Sequence, residues 1–159
     1  EQISQLLWAA QGITGKKGSV GFRASPSAGA LYPMELYLLT KDGLYHYLVQ
    51  GHQLEQLGQG DLRSSLADSA LGQGSISQAP VTIVICAVYP RVTLKYGERG
   101  IRYTHIEAGH LAQNIHLQAA ALNLGSVPIG AFDDTQVKKV LSLPEDQEPL
   151  YIIPVGYSE

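Results

Sequence analysis

The residues best suited to chemistry lie in two loops that are rich in small residues, proline and hydroxyl groups. Residues 22–33 read FRASPSAGALYP, and residues 125–134 read GSVPIGAFDD. Small side chains leave backbone N–H groups accessible, so a flat, polar ligand can lie close to such loops. Ser25 and Ser27 add hydroxyls that can hydrogen-bond to it. The alternative for each segment is an ordinary connection between elements, because clusters of serine, proline and glycine are common in loops.

Three further polar residues, His105, Glu107 and His110, lie within one predicted helix. The zinc helices of metalloproteases need two histidines four residues apart, with a glutamate directly after the first. Here the histidines are five residues apart and the glutamate is two beyond His105, so we predict no metal site. His110 and Asn114 share a helix face, which favours a hydrogen-bonded polar patch. His105 and Glu107 remain candidates for lining the substrate side of a site.

The elements that must position these residues follow from hydrophobic periodicity and from capping residues. The predicted helices span residues 3–11, 61–71, 103–124 and 135–143. The predicted strands span residues 34–40, 44–49, 81–88 and 150–157. Asp134 is expected to cap the last helix, Pro154 favours an edge position or a bulge in the last strand, and residues 14–21 are predicted to form a loop. The pattern predicts a single α+β domain over residues 1–159, with helices packed on an antiparallel-leaning sheet.

The longest predicted helix is unusually apolar in its second half. Between residues 115 and 124 only His116, Gln118 and Asn123 interrupt the apolar run. Most of the circumference of this helix should therefore be buried, which in one small domain usually requires a partner. We expect a homodimer.

Composition excludes several classes of protein. The chain has 159 residues, of which 45% are hydrophobic and 16% charged, and its net charge is −3. These values suit a globular domain and give no basic footprint for nucleic acid. No apolar run approaches the length of a membrane span, and no signal peptide opens the chain, so we expect a cytoplasmic protein. The single cysteine, Cys86, lies in an apolar strand and is expected to be a buried, reduced thiol.

The two loops, separated by the Ala-rich helix, resemble those of the FMN-dependent nitroreductase superfamily. The closest resemblance is to its SagB-type (azoline dehydrogenase) branch, which has the Gly-Ala-Leu-Tyr-Pro sequence found here at residues 29–33. The resemblance implies a nitroreductase-like α+β fold: an antiparallel-leaning mixed sheet flanked by helices, with a central buried dimer helix. It also implies FMN as the cofactor.

The same resemblance implies which residues contact FMN. Pro26, Ser27, Ala28 and Ala30 match positions that touch the flavin, and residues 127–133 match the loop beside its reactive nitrogen N5. Many nitroreductases carry an acid at the position of Gly130, and its absence here favours the SagB-type branch. The superfamily's basic segments that reach the FMN phosphate are expected to be missing from residues 1–159, so Arg23, Arg99 and Arg102 are possible substitutes. The implied cofactor-binding set is Arg23, Ser25, Pro26, Ser27, Ala28, Ala30, Ile129, Gly130 and Ala131.

Lys95 and Tyr96 look like the Lys-Tyr pair of azoline dehydrogenases, which assists deprotonation of the heterocycle as hydride leaves for FMN. A partly buried lysine with a lowered pKa can act as a base, and a tyrosine can relay a proton. The alternative is a solvated lysine and a packing tyrosine in a loop.

The resulting hypothesis is an FMN-dependent oxidoreductase that transfers hydride between a small or peptide-borne substrate and FMN. One alternative is an NAD(P)H-dependent nitro or quinone reductase, whose flavin would be reduced rapidly by NAD(P)H. Another is a non-catalytic dimeric scaffold of the same fold, because a fold alone does not prove activity.

Overall fold

The computed structural model of the chain describes residues 1–18 and 20–157. Within these residues, eight strands form a two-stranded hairpin, β1–β2, and a six-stranded sheet of order β5-β4-β3-β6-β8-β7. All described pairings are antiparallel. The strands are β1 Ile13–Lys17, β2 Val20–Arg23, β3 Met34–Thr40, β4 Gly43–Leu48, β5 Gln53–Gln59, β6 Val81–Ala87, β7 Gly125–Ser126 and β8 Glu148–Gly156.

Helices cover both faces of the large sheet. They are α1 Gln2–Gln11, α2 Arg63–Ser69, α3 Gly74–Gln78, α4 Pro90–Tyr96, α5 Arg99–Ala121 and α6 Asp134–Leu141. Alternation along β3 separates the two sides of the core: Leu36 and Leu38 pack with α1 and α5, whereas Tyr37 and Leu39 pack with α2, α3 and α6. Because β3 and β6 are covered on both faces, their sequences read as nearly continuous apolar runs.

The predicted strands at residues 34–40, 44–49 and 81–88 are confirmed within a residue or so, and Cys86 is buried as expected. The predicted loop at residues 14–21 is wrong, because most of it belongs to the β1–β2 hairpin. Sequence analysis also missed β5, α3 and α4. These elements bury few side chains, so they carry little hydrophobic periodicity; in β5 no residue is fully buried.

Three local expectations need correction. The cap of α6 is Asp133 rather than Asp134, since the Asp133 carboxylate accepts a hydrogen bond from the Gln136 N–H at 2.9 Å. Helix α5 begins at Arg99, four residues before its predicted start. Strand β8 is not an edge strand, because β6 and β7 flank it. On the β7 side of β8, pairing stops at Val155 and resumes only at the isolated bridge between Ile152 and Ile129. Pro154 lies in this gap, so its missing N–H costs no hydrogen bond.

In the single chain, only one side of α5 is covered. Ala108, Leu111 and Ile115 are buried against the sheet and α1. The opposite side exposes Ile106 and Leu117 to 50% and 61%. The described helices include none that is long and apolar enough to cross a membrane.

Candidate functional site

The first small-residue loop folds back on itself in a tight turn at Ala28–Ala30. Gly29, Ala30 and Tyr32 all have left-handed backbone angles, with φ of 62°, 54° and 49°. Such a conformation is unusual for residues other than glycine, and each one typically costs about 1 kcal/mol or more. Hydrogen bonds hold the turn: the Tyr32 N–H donates to the Ser27 hydroxyl at 2.9 Å, and the Ala30 N–H donates to the Ser27 carbonyl at 3.1 Å.

Ser25 anchors this loop to two helices. Its hydroxyl is fully buried, donates to the Ala10 carbonyl at 2.8 Å and accepts from the Asn114 side-chain amide at 3.0 Å. The amide of Asn114 also donates to the Ala9 carbonyl at 3.0 Å. Ser25 therefore holds the loop against α1 and α5, and its hydroxyl points into the protein instead of toward a ligand as the sequence suggested.

Arg23 is half-buried beneath the same loop. Its guanidinium lies 4.4 Å from the centre of the Tyr32 ring and donates to the Gln11 side-chain oxygen. Its backbone N–H donates to the Tyr32 hydroxyl at 3.2 Å. Burial lowers the pKa of Arg23, and Glu35 opposes this effect. Arg23 thus braces Tyr32 and brings a cation close to the loop.

The structure brings Lys95 and Tyr96 against the loop. A side-chain Cβ at Gly29 would lie 2.7 Å from the Tyr96 hydroxyl and 3.1 Å from the Lys95 ammonium, so both side chains end directly beside this glycine. The two residues end helix α4, where Lys95 is exposed and Tyr96 is half-buried with its ring edge against Tyr103. The lysine and tyrosine are therefore placed on a helix and not in the loop that the sequence suggested.

Helix α4 is itself tied to the loop by an ion pair that sequence analysis missed. Arg91 pairs with Glu35 at 2.5 Å and donates to the Tyr32 carbonyl at 3.2 Å. His46 binds the other oxygen of Glu35 at 2.7 Å. Burial opposes ionisation of Glu35, but its bonds to His46 and Arg91 outweigh burial and lower its pKa. One feature of the sequence indicated this role for Arg91: it lies four residues before Lys95, so the two residues share one face of a helix.

The second loop is fixed at one end and open beyond it. Ile129 is buried and exchanges two backbone hydrogen bonds with Ile152, at 2.8 and 2.9 Å. Gly130 and Ala131 are exposed, and within the described residues their N–H groups donate to no protein acceptor. The Ala131 carbonyl accepts from the Gln73 side chain at 3.1 Å. The backbone N–H groups of Gly130 and Ala131 are thus two hydrogen-bond donors next to the anchored Ile129. This arrangement suits the approach of the polar edge of a ring.

The two loops are held by different parts of the domain. Hydrogen bonds of the first loop run to α1, α4 and α5, while those of the second run to β8 and to the turn between α2 and α3. Within the described residues, Gly29 brings the first loop against the Lys95–Tyr96 pair, whereas no hydrogen bond joins this loop to Ile129, Gly130 or Ala131.

The remaining candidates lie along α5. Arg99 and Arg102 are exposed in its first turn, where Arg99 approaches the Tyr103 hydroxyl at 3.4 Å. His105 pairs with the Tyr89 hydroxyl at 2.6 Å. Glu107 is almost completely buried beside Ser27, and burial raises its pKa to about 7. A buried carboxyl with a shifted pKa next to a ligand-type loop is a common property of functional sites.

The fold and these loops define the class of protein: the model of the nitroreductase family matches residues 1–157, so the chain belongs to that family. The predicted nitroreductase-like α+β fold is thereby confirmed.

Among its relatives, the chain is 40% identical over 161 residues to MJ1384 of Methanocaldococcus jannaschii, a protein named as a nitroreductase. That match covers 98% of this chain and 79% of the relative. The chain is also 28% identical to the microcin B17-processing protein McbC of Escherichia coli, over 76% of this chain and 48% of McbC. It therefore spans about half the length of McbC.

A solved structure, the E. coli microcin synthetase McbBCD complex with truncated pro-MccB17 bound, contains a chain of the same fold. The TM-score is 0.85 at 26% identity, over 99% of this chain and 63% of that chain.

Proposed function

We propose that this domain is an FMN-dependent dehydrogenase of the SagB type, which transfers hydride between FMN and a small or peptide-borne substrate. The observation that carries the proposal is the contact of Gly29 with Lys95 and Tyr96. It joins the loop suited to a flavin with the two groups suited to proton transfer, although they are far apart in the sequence. The relationship to McbC, a protein named for the processing of microcin B17, supports a peptide-borne substrate.

The residues present fit FMN. The backbone donors of Gly130 and Ala131 are exposed and have no acceptor in the described residues, as the edge of a flavin ring would require. Pro26, Ala28 and Ala30 offer a small-residue surface on which a flat ring can lie. Bound FMN would supply the hydride acceptor, and its electronics would respond to these backbone donors.

Lys95 and Tyr96 would handle the proton. Oxidation of an azoline ring to an azole removes one hydride and one proton, so a base is needed besides the flavin. An amine such as that of Lys95 can take that proton, and the Tyr96 hydroxyl, at the same glycine, can relay it. Helix α4 carries both residues, and the Arg91–Glu35 pair holds α4 to β3. Proximity of this kind is what converts a weak base into an effective one.

We further propose that the active form is a homodimer in which the two loops of the site come from different subunits. The support is twofold: the loops are held by different parts of one chain, and α5 leaves Ile101, Ile106 and Leu117 exposed. Arg23 and the exposed Arg99 and Arg102 are the candidates for the FMN phosphate.

The test is an absorbance spectrum of the purified protein before and after reconstitution with FMN. We expect flavin bands in the near ultraviolet and blue that are shifted from those of free FMN, because the site changes the surroundings of the ring. Reduction by an azoline substrate and not by NAD(P)H would distinguish the dehydrogenase from a nitro or quinone reductase. A protein that cannot be reconstituted would contradict the proposal and favour a non-catalytic scaffold.

A further inference from the structure

An open cavity lies at the end of the first loop, between strands β3 and β4 and helix α4. Its volume is about 480 Å³, which is within the range of small-molecule sites. The described residues that line it include none from the second loop and none from α5, and of the residues assigned to FMN only Arg23 takes part. The cavity is therefore distinct from the proposed flavin site and from the exposed side of α5.

The charges around this cavity are predominantly positive. Arg23, Arg91 and His46 line it, and Glu35 is the one acid among the described lining residues. Both oxygens of Glu35 are already engaged, one by Arg91 at 2.5 Å and the other by His46 at 2.7 Å. Arg23 forms no ion pair with any described residue, so its charge is left without a counter-ion.

The two guanidinium groups also keep donors available for a ligand. Arg23 donates from Nη1 to Gln11, and among the described residues its Nε and Nη2 have no acceptor. Arg91 donates from Nη1 to the Tyr32 carbonyl and pairs through Nη2 with Glu35, while 41% of its side chain is exposed. A ligand can therefore reach Arg91 from the solvent.

The two arginines act on each other across the cavity. Burial has the largest effect on the pKa of Arg23 and lowers it; Glu35 opposes this effect, and the charge of Arg91 adds to it. A half-buried cation next to a second cation is unfavourable, and an anion bound between them would relieve the repulsion. Planar guanidinium groups match the geometry of a carboxylate, with which they form paired hydrogen bonds.

We propose that this cavity binds a carboxylate carried by a short apolar group, with the carboxylate placed between Arg23 and Arg91. The apolar group would lie against Leu31, Leu48 and Val49, which form the apolar part of the lining. The inference is independent of the proposed function, because neither the second loop nor the proton-handling pair takes part in it. With Arg23 engaged here, the two arginines at the start of α5 remain the candidates for the FMN phosphate.

Binding is tested with isocaproate against isocaproamide, which has the same carbon skeleton without the charge. Nuclear magnetic resonance shifts of the Leu48 and Val49 amides report binding to the wild-type protein. We expect the carboxylate to bind about tenfold more tightly than the amide at low salt, because it alone pairs with the two guanidinium groups. This preference should shrink as salt rises from about 0.05 M to 0.5 M, since the added ions screen the charges.

Two sources share this chemistry, a free organic acid and the C-terminus of a peptide. Acetyl-glycyl-leucine carries a similar apolar group and carboxylate at the end of a peptide. Tighter binding of this peptide than of isocaproate would support the site with a peptide C-terminus as its ligand. Tighter binding of isocaproate would support it with a free acid.

Variants locate the site. Arg23→Gln and Arg91→Gln should each remove most of the preference for the carboxylate, whereas Lys41→Gln, which removes an exposed charge at the turn between β3 and β4, should keep it. Because both arginines also hold the first loop, Gln50→Glu provides a test without that role. Gln50 is exposed and lines the cavity, so the added charge should weaken binding of isocaproate and leave that of isocaproamide unchanged.

Equal binding of isocaproate and isocaproamide to the wild-type protein would overturn the inference, as would an unchanged preference in Gln50→Glu and both arginine variants. The titration is repeated after reconstitution with FMN. Loss of isocaproate binding in the flavin-loaded protein would overturn a separate site, because Arg23 would then serve the flavin. A protein that takes up no FMN and still prefers the carboxylate would contradict only the proposed function.

Discussion

Gly29 is the residue beside which the two proposed proton-handling groups meet the first loop. Its left-handed backbone favours a residue without a Cβ, and a Cβ there would lie close to the ends of the Lys95 and Tyr96 side chains. Its neighbours Ala30 and Tyr32 adopt left-handed angles without being glycine, which shows that the surrounding hydrogen bonds overrule local preference. Backbone strain of this kind tends to occur where a rigid loop must hold a ligand.

The residue-scale prediction concerns the proton-handling pair. Lys95→Ala should leave the FMN spectrum unchanged and lower turnover by about 10²–10⁴, the usual contribution of a positioned acid or base. Tyr96→Phe should lose part of the same rate, because it keeps the ring packed against Tyr103 and removes the hydroxyl. Turnover with an azoline substrate is the measurement. Lys139→Ala, an exposed lysine near the end of α6, is the matched control and should leave the rate alone; full activity in Lys95→Ala would exclude the proposed base.

At the scale of elements, helix α4 is only seven residues long, yet it carries the proposed proton-handling pair. Only Val92 of this helix is fully buried, so hydrophobic packing alone fixes it weakly. The bonds of Arg91 to Glu35 and to the Tyr32 carbonyl supply the missing constraint. The position of Lys95 therefore depends on a side chain of β3.

Glu35→Gln tests that dependence. The pKa of the Glu35 carboxyl is lowered in the folded protein. The ionised carboxylate therefore stabilises the fold at pH values above its pKa in the unfolded chain, and this contribution is lost as pH falls through its pKa in the folded protein. We expect the variant to be about 1–2 kcal/mol less stable than wild type at pH 7, a modest cost because Arg91 is partly exposed. The difference should shrink toward pH 3.

Urea unfolding at both pH values is the measurement for Glu35→Gln. Glu55→Gln serves as its control: Glu55 lies 3.9 Å from His46 and is more than half exposed, so the change should stay within about 0.5 kcal/mol. A difference between wild type and Glu35→Gln that persists at pH 3 would contradict the electrostatic explanation.

The elements that sequence analysis found are those with a buried face. Strands β3 and β6 are apolar on both faces, and α5 carries a long buried stripe, so periodicity revealed all three. The β1–β2 hairpin and β5 expose most of their side chains and gave no such signal. Within the site, the two loops were predicted from their composition. The Glu35–Arg91–His46 cluster was not, because its members come from β3, α4 and β4 and meet only in the folded chain.

At the scale of the whole molecule, the exposed side of α5 is the surface on which the proposed dimer depends. Ile101, Ile106 and Leu117 present apolar surface along one helix, which a stable monomer seldom leaves uncovered. An obligate homodimer would bury on the order of 2,000 Å² or more. The same contact would complete a site whose two loops one chain holds apart.

We expect sedimentation at micromolar concentration to show a dimer. Leu117→Glu should shift the protein toward the monomer, because it places a charge in the apolar contact, and it should weaken FMN retention in parallel. Leu71→Glu, at the turn between α2 and α3, changes a leucine that is 78% exposed and should leave the dimer intact. A wild-type protein that sediments as a monomer yet holds FMN would contradict a site shared between subunits.

The packing of Trp8 across Gly12 gives the domain a built-in optical reporter. Trp8 is the only tryptophan of the chain, and a Cβ on Gly12 would lie within 3 Å of its ring. Trp8 directly precedes Ala9 and Ala10, whose carbonyls accept hydrogen bonds from Asn114 and Ser25 and so anchor the first loop. Indole emission overlaps flavin absorption, and quenching of this one fluorophore would therefore follow cofactor uptake in real time without any label.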